Sequence, residues 1–286
     1  MGKSGAAPLA LGTLAVAAGA AFLWNVGALP GMATRNAIAF AAGLLLGWLA
    51  HKAAHWRHGA AILFAACCLV LGLVLVAGIE LEGVTRWLPL GPFLIQPALI
   101  LSPLLLAIAG SREGRHWRVA ILLPMLLVAL QPDAQTLIAL AVGVAVLMVG
   151  ASGQSLRGWT TRRIAIAAGA AGLAVAGLLV AGIQTPPPIA FVEGTVEIAA
   201  LSGVPAMLLH IAAIALTIAA LSSRGGTNDA ALAAYFAAAA VVAVFWAFPM
   251  PVVGAGPSHL IGFGLAIGWL AEGVRRAKRE GMHANS

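Results

Sequence analysis

The stretch LQPDAQTLIALAVGVAVLMVG, Leu130 to Gly150, decides the fold. Beyond Thr136 it carries no polar side chain, and it does not alternate as a strand of a membrane barrel would. A helix satisfies its own backbone hydrogen bonds, which lipid cannot do, so the run is predicted to cross a bilayer as helix. Its entry is polar. Pro132 marks a turn, and Asp133 stands where a side-chain oxygen can accept the free N–H groups of the new helix. A carboxylate at a membrane face is also a functional candidate, and the two roles are compatible.

Working outward, the same texture repeats. The 286 residues are 62% hydrophobic and 9% charged, with mean hydropathy +1.00, whereas soluble domains carry about 25% charged residues. Ten candidate spans lie at approximately 8–26, 36–50, 59–78, 93–110, 118–131, 134–150, 164–183, 198–221, 230–248 and 257–273, of which the second and fifth are short. The connections are short, so residues 1–286 read as a single transmembrane domain: an all-α, polytopic integral membrane protein of about ten helices. The first run has no small-residue cleavage site and is read as retained.

Charge placement tests this layout. With the N-terminus in the cytoplasm, 14 of the 16 Lys and Arg residues fall at the two ends or in the inside loops near 51–58, 111–118, 151–163 and 222–229. Only Arg35 and Arg86 fall outside. The positive-inside rule predicts that asymmetry with both termini cytoplasmic. The net charge of +7 is therefore topology, and no basic, aromatic stripe suggests nucleic acid. Five of the nine acidic residues, Glu80, Glu82, Asp133, Glu193 and Glu197, lie outside.

Several local features carry weaker signals. Glu193 and Glu197 follow three prolines, Pro186 to Pro188. Spaced four apart, they share a face if the segment is helical, where they could favour a helix start or serve as base and metal ligand. His51, His55 and His58 have a spacing that can hold a metal, but the interleaved Lys52 and Arg57 favour a basic helix end at the lipid surface. His210, midway along the eighth run, suits a buried hydrogen bond to a neighbouring helix. Cys67 and Cys68 are adjacent in a lipid-embedded run, so neither a disulfide nor a metal site is expected. Gly43-x-x-x-Gly47 and Gly264-x-x-x-Gly268 suit close helix contacts.

Three segments, in order, resemble the SEDS family of shape, elongation, division and sporulation proteins, the FtsW/RodA/SpoVE group. GVTRWLPLGPFLIQP, Gly83 to Pro97, matches that family's G-x-x-R-W and Q-P-S-E signature at Gly83, Arg86, Trp87, Leu90, Gly91, Gln96 and Pro97, with Ala98 and Leu99 in place of Ser and Glu. The opening stretch is similar to Q-P-D-L-G-T at Gln131, Pro132, Asp133 and Thr136, with Gln135 for Gly. PMPVVGAGPSHLI, Pro249 to Ile261, resembles P-L-P-F-hydrophobic-S-Y-G-G-S-S at Pro249, Pro251, Val253, Gly256 and Ser258, with Gly254-Ala255 for Ser-Tyr and Pro257 for the second Gly. Ten spans with both ends inside is also the family topology.

The resemblance implies a multi-pass protein of the bacterial inner membrane that polymerises peptidoglycan glycan from lipid II, an undecaprenyl-linked substrate, in cell division or cell-shape maintenance. A base would deprotonate the acceptor sugar hydroxyl, and a divalent cation, Mg²⁺ or Mn²⁺, would help the diphosphate leave. Glu197 is the base expected on one alignment with the family's P-E-x-H-T-D, with Glu193 or Asp133 assisting. A second alignment places Glu197 later and deletes that motif. Arg86, with Arg35 as a second cation, would meet the diphosphate, and Trp87, Gln96 and Ser258 would line the substrate site. The implied partner is a single-span transpeptidase, seated on the eighth or ninth run. The alternatives are a non-catalytic scaffold of the same fold and, more distantly, a transporter of lipid-linked precursor. The family's large outer loop is reduced here to residues 184–196.

Overall fold

The computed structural model describes residues 6–81, 83–91, 93–111, 118–150, 161–181, 191–246 and 248–283. Glu82 and the three prolines at 186–188, singled out above, lie outside the described residues, as do Lys3, Arg112, Arg115 and Arg157 among the basic residues counted there. The apolar runs fold mainly as helix, because intrahelical pairing is the local solution to a backbone without water. Helix α1 is Ala6–Asn25, α2 is Pro30–Ala54 and α3 is Gly59–Ala77. Pro30 opens α2, where its missing N–H costs no hydrogen bond.

A small sheet follows, which the run-by-run reading did not contain. Strands β1 (Ile79–Leu81), β2 (Val84–Leu90) and β3 (Phe93–Ile95) form an antiparallel meander. Its turns sit at Gly83 and Gly91, with φ of 81° and 58°, a left-handed backbone natural to glycine. The run expected to start at residue 93 therefore begins as strand. Helix α4 (Pro97–Gly110) starts after it, with Pro97 in its first turn.

Helices α5 (Leu122–Ala129), α6 (Ala134–Gly150) and α7 (Thr161–Ala181) come next. The eighth run is broken in two: α8 (Thr195–Ser202) and α9 (Val204–Ser222) meet at Gly203, whose φ is 94°. Helices α10 (Thr227–Phe245) and α11 (Pro257–His283) complete the chain. Among the described residues, five helices are long and apolar enough to cross a membrane: α1, α2, α3, α9 and α10.

The two small-residue motifs meet each other. A Cβ on Gly43 would run into the Ile261 carbonyl, one on Gly47 into that of Leu265, one on Gly264 into that of Phe40 and one on Gly268 into that of Leu44. The α2 and α11 backbones thus touch along two turns, as small-residue faces permit. Polar side chains inside the bundle tie it to exposed carbonyls. Gln131 Nε2 donates to Leu71 O at 2.8 Å. Gln135 Nε2 donates to Ala239 O and Pro249 O, both at 2.9 Å, so the residue standing in place of a family glycine pins α10 and the following loop to α6.

Candidate functional site

The site is built where three separate segments converge at the sheet end of the bundle. Gln96, immediately before α4, is its hinge. Its backbone N–H donates to Ser258 Oγ at 3.0 Å, and its side-chain Nε2 donates to Asp133 Oδ2 at 2.7 Å. Thr136 completes the Asp133 shell, donating from its N–H to Oδ1 at 3.1 Å and from Oγ1 to Oδ2 at 2.7 Å. Asp133 is 1% exposed. The bond to the N–H three residues on is the N-cap geometry read from the sequence, and the other two bonds occupy the remaining oxygen.

Above this network lies a cavity of about 290 Å³, whose lining includes Arg35, Trp87, Gln96, Glu193, Ser258 and His259. Arg35, on α2, is anchored at one edge by donating from Nη2 to Ala255 O at 2.6 Å. Its neighbour Asn36 donates from Nδ2 to Gly254 O at 3.0 Å. Together they clamp the loop before α11. The loop is held from its other side by the segment before α8, where Ala255 N–H donates to Phe191 O at 2.6 Å. A Cβ at Gly254 would crowd Val192 O. Gly254-Ala255, standing for the Ser-Tyr of the resembling motif, is what lets these two loops pack so closely.

The two glutamates separate. Glu193 is buried and lines the cavity. Glu197 lies in the first turn of α8 with its side chain exposed, outside the cavity lining. The shared helical face expected of them does not form, because Gly194 between them is left-handed (φ 67°) and α8 starts only at Thr195.

Arg86 is also placed differently from expectation. Strand alternation turns it inward: it is 0% exposed and not part of the cavity lining. Its guanidinium carbon lies 4.5 Å from the Trp87 ring centre and 5.3 Å from that of Phe248. None of Nε, Nη1 and Nη2 finds a hydrogen-bond acceptor among the described residues. Burial pulls its pKa down, while the charges of Asp133 and Glu193 pull it back up. His259, buried beside Ser258, is the cavity residue that sequence reasoning missed. The signal was its place next to Ser258 in the third segment.

The remaining candidates fall elsewhere. His210 Nε2 lies 3.1 Å from Thr195 Oγ1, linking α9 to α8, as a buried interhelical bond was expected to. His51 packs edge-on to Trp269, with ring centres 4.9 Å apart, and its carbonyl lies 2.7 Å from His55 Nδ1. Cys67 and Cys68 are free thiols. Among the described residues no three His, Cys, Asp or Glu side chains gather so as to hold a metal ion. Glu193 is the carboxylate in the cavity lining, and Asp133 beneath it already accepts three hydrogen bonds.

Comparison with known proteins bears on the family and the fold. The family model FtsW/RodA/SpoVE, described as cell cycle protein, matches residues 10–186, more than half of the chain. The "Probable peptidoglycan glycosyltransferase FtsW" of Allochromatium vinosum is 49% identical over 69 residues, which are 22% of this chain and 17% of that protein. The protein of the same description from Halorhodospira halophila is 38% identical over 120 residues, 35% of this chain and 30% of its own. These alignments thus span less than a third of either relative. The crystal structure of the Thermus thermophilus rod shape determining protein RodA superposes with a TM-score of 0.60 at 24% identity, covering 94% of this chain and 95% of that one. A chain from a peptidoglycan synthase complex, solved for its coordination of polymerization and crosslinking, superposes at 0.58 with 22% identity, covering 94% and 97%. At these identities the two structures establish a shared fold.

Proposed function

This chain belongs to the FtsW/RodA/SpoVE family of cell cycle proteins, and on that premise we propose that it is a glycosyltransferase extending peptidoglycan glycan from an undecaprenyl diphosphate-linked sugar such as lipid II. One observation carries the reading. The three motif segments are hydrogen-bonded to one another, through Gln96, Asp133 and Ser258, around a cavity that presents one carboxylate, Glu193, and one cation, Arg35.

Glu193 is the candidate base. Its carboxylate takes the proton of the acceptor hydroxyl, the freed oxygen forms a bond to the donor's anomeric carbon, and the bond from that carbon to the diphosphate breaks. Arg35 receives the departing negative charge with the guanidinium edges that Ala255 O leaves open. Trp87 offers a ring face to a sugar. Asp133 holds Gln96 and the start of α6 in place. No step is routed through a metal ion.

The apolar groove of about 390 Å³ between α9 and α10, which includes Ile211, Ile214, Ala237 and Val241, is the candidate seat for the single helix of a transpeptidase partner. A non-catalytic scaffold is the second reading. It is favoured by the close packing of Gly254 on Val192 where the family carries Ser-Tyr.

The test is polymerisation of labelled lipid II by the purified chain, with and without a partner. Wild type is expected to form polymer, Glu193→Gln to lose at least about 100-fold in rate, and Glu197→Gln to retain activity. Loss in Glu197→Gln alone would return the base to position 197. No polymer from wild type with the partner present would leave the scaffold.

A further inference from the structure

We propose that His259 is a specificity-determining residue of the cavity, whose imidazole hydrogen-bonds the hydroxyl groups of the sugar carried by a lipid diphosphate. The identity of that ligand rests on the glycosyltransferase reading; the demand of this ring for a hydroxyl partner does not.

Pro257 opens α11, and Ser258 and His259 follow in its first turn. The bond from Gln96 N–H to Ser258 Oγ fixes that turn against the start of α4. His259 is 2% exposed and yet lines the cavity. Its ring centre lies 6.5 Å from that of Phe236, with the planes tilted by 51°. Phe236 in turn packs edge-on to Tyr235 at 5.1 Å and to Phe263 at 5.6 Å. The imidazole is therefore set against an aromatic cluster, and the facing phenyl ring has no oxygen or nitrogen to offer it.

A buried polar group finds a hydrogen-bond partner in nearly every folded protein. Among the described residues, the buried side-chain atoms that lack one and belong to the cavity lining are Arg35 Nε and the two ring nitrogens of His259. The Arg35 guanidinium is nonetheless anchored, through Nη2. The His259 ring is not. The Pro249 carbonyl acts on it, but stands outside hydrogen-bond geometry and already accepts from Gln135 Nε2. What the ring faces instead is the cavity.

The chemistry of the ring selects its partner. A neutral imidazole donates from one nitrogen and accepts at the other. A carboxylate or a phosphate oxygen only accepts, whereas a sugar hydroxyl does both. In the pattern that Pro249 to Ile261 resembles, position 259 is the last Ser. An imidazole reaches further from the backbone and presents two polar atoms where a serine presents one. The substitution thus belongs to this chain and alters what its cavity can read. A site built to hydrogen-bond a hydroxyl discriminates strongly against a ligand that lacks it, because the polar group of the site is then left unpaired.

The experiment measures binding to the purified full chain in detergent. The two probes are bare undecaprenyl diphosphate and the same lipid carrying the disaccharide without its peptide. Wild type is expected to bind the sugar-bearing lipid more tightly. His259→Phe keeps a ring and loses both nitrogens. It is expected to raise the Kd of the sugar-bearing lipid about tenfold and to leave that of the bare lipid within about twofold. His259→Gln keeps one donor and one acceptor, and is expected to stay within about threefold of wild type for both. If His259→Phe does not fold, His259→Leu takes its place and is read in the same way. An equal rise for both lipids would put the ring on the diphosphate, and no change for either would make it a space-filling group. Either result would overturn the proposal, as would a Gln variant as weak as Phe or a wild type that binds the two lipids equally. A wild type that shows the His259-dependent preference but forms no polymer would sink the glycosyltransferase reading and keep the sugar site.

Discussion

Asp133 and Glu193 show how surroundings set two buried carboxylates apart: one lies inside a hydrogen-bond network, the other lines a cavity. The Asp133 carboxylate is consumed by Thr136 and Gln96. Replacing it by Ala removes a helix cap and strands a buried amide and a hydroxyl, an expected cost of about 2–4 kcal/mol. Asp133→Asn keeps an acceptor and costs less. Melting of the two variants in detergent checks the order, and an Ala variant as stable as Asn would show that the network contributes nothing. The cap was legible because Pro-Asp precedes an uninterrupted apolar run. The choice between Glu193 and Glu197 was not. Spacing assumes a continuous helix, and a single left-handed residue, Gly194, rotates one carboxylate into the cavity and leaves the other exposed. Arg86 was legible as a motif residue, but its inward direction depends on β2, which a reading tuned to helical runs had absorbed into loop.

Among the elements, the contact between α2 and α11 bears most directly on the site. It sets Arg35 and Asn36 of α2 against the loop that leads into α11 and Ser258. That contact was half legible: both small-residue motifs were visible, but nothing in either named the other as its partner. Gly264→Val drives a branched side chain into the Phe40 carbonyl and the Gly43 backbone. Overpacking of this kind costs about 1–3 kcal/mol or more. Gly72 of α3, with open space where its Cβ would point, is the control, and Gly72→Val is expected to behave as wild type. Detergent-solubilised yield and melting temperature of the two variants test this. Equal behaviour would mean that the helices do not rely on that contact. The broken eighth run belongs to the same scale. Composition reads 198–221 as one apolar run, while left-handed Gly203 breaks it into α8 and α9.

At the scale of the molecule, the chain is a multi-pass protein of the bacterial inner membrane, and its orientation is the property most cheaply tested. The sheet end carries the cavity with Glu193 and Arg35. The opposite ends of α2 and α3 meet at the basic turn of His55, Arg57 and His58, where Trp56 is 74% exposed. The asymmetry of Lys and Arg predicts that turn in the cytoplasm, and hence the cavity on the outer face, where the proposed polymerisation of a lipid-linked sugar would take place. The native thiols do not obscure a labelling test, since Cys67 and Cys68 lie within α3 and can be replaced by Ser. In that background Leu90→Cys, at the exposed tip of the β2–β3 turn, is expected to react with a membrane-impermeant maleimide on intact spheroplasts. Trp56→Cys is expected to react only after lysis. The reverse pattern would put the cavity on the cytoplasmic face, and an outer-face polymerase would then be untenable whatever the chemistry of Glu193. Labelling at both positions without lysis would mean that the chain does not hold one orientation, and the charge argument for its topology would fail with it.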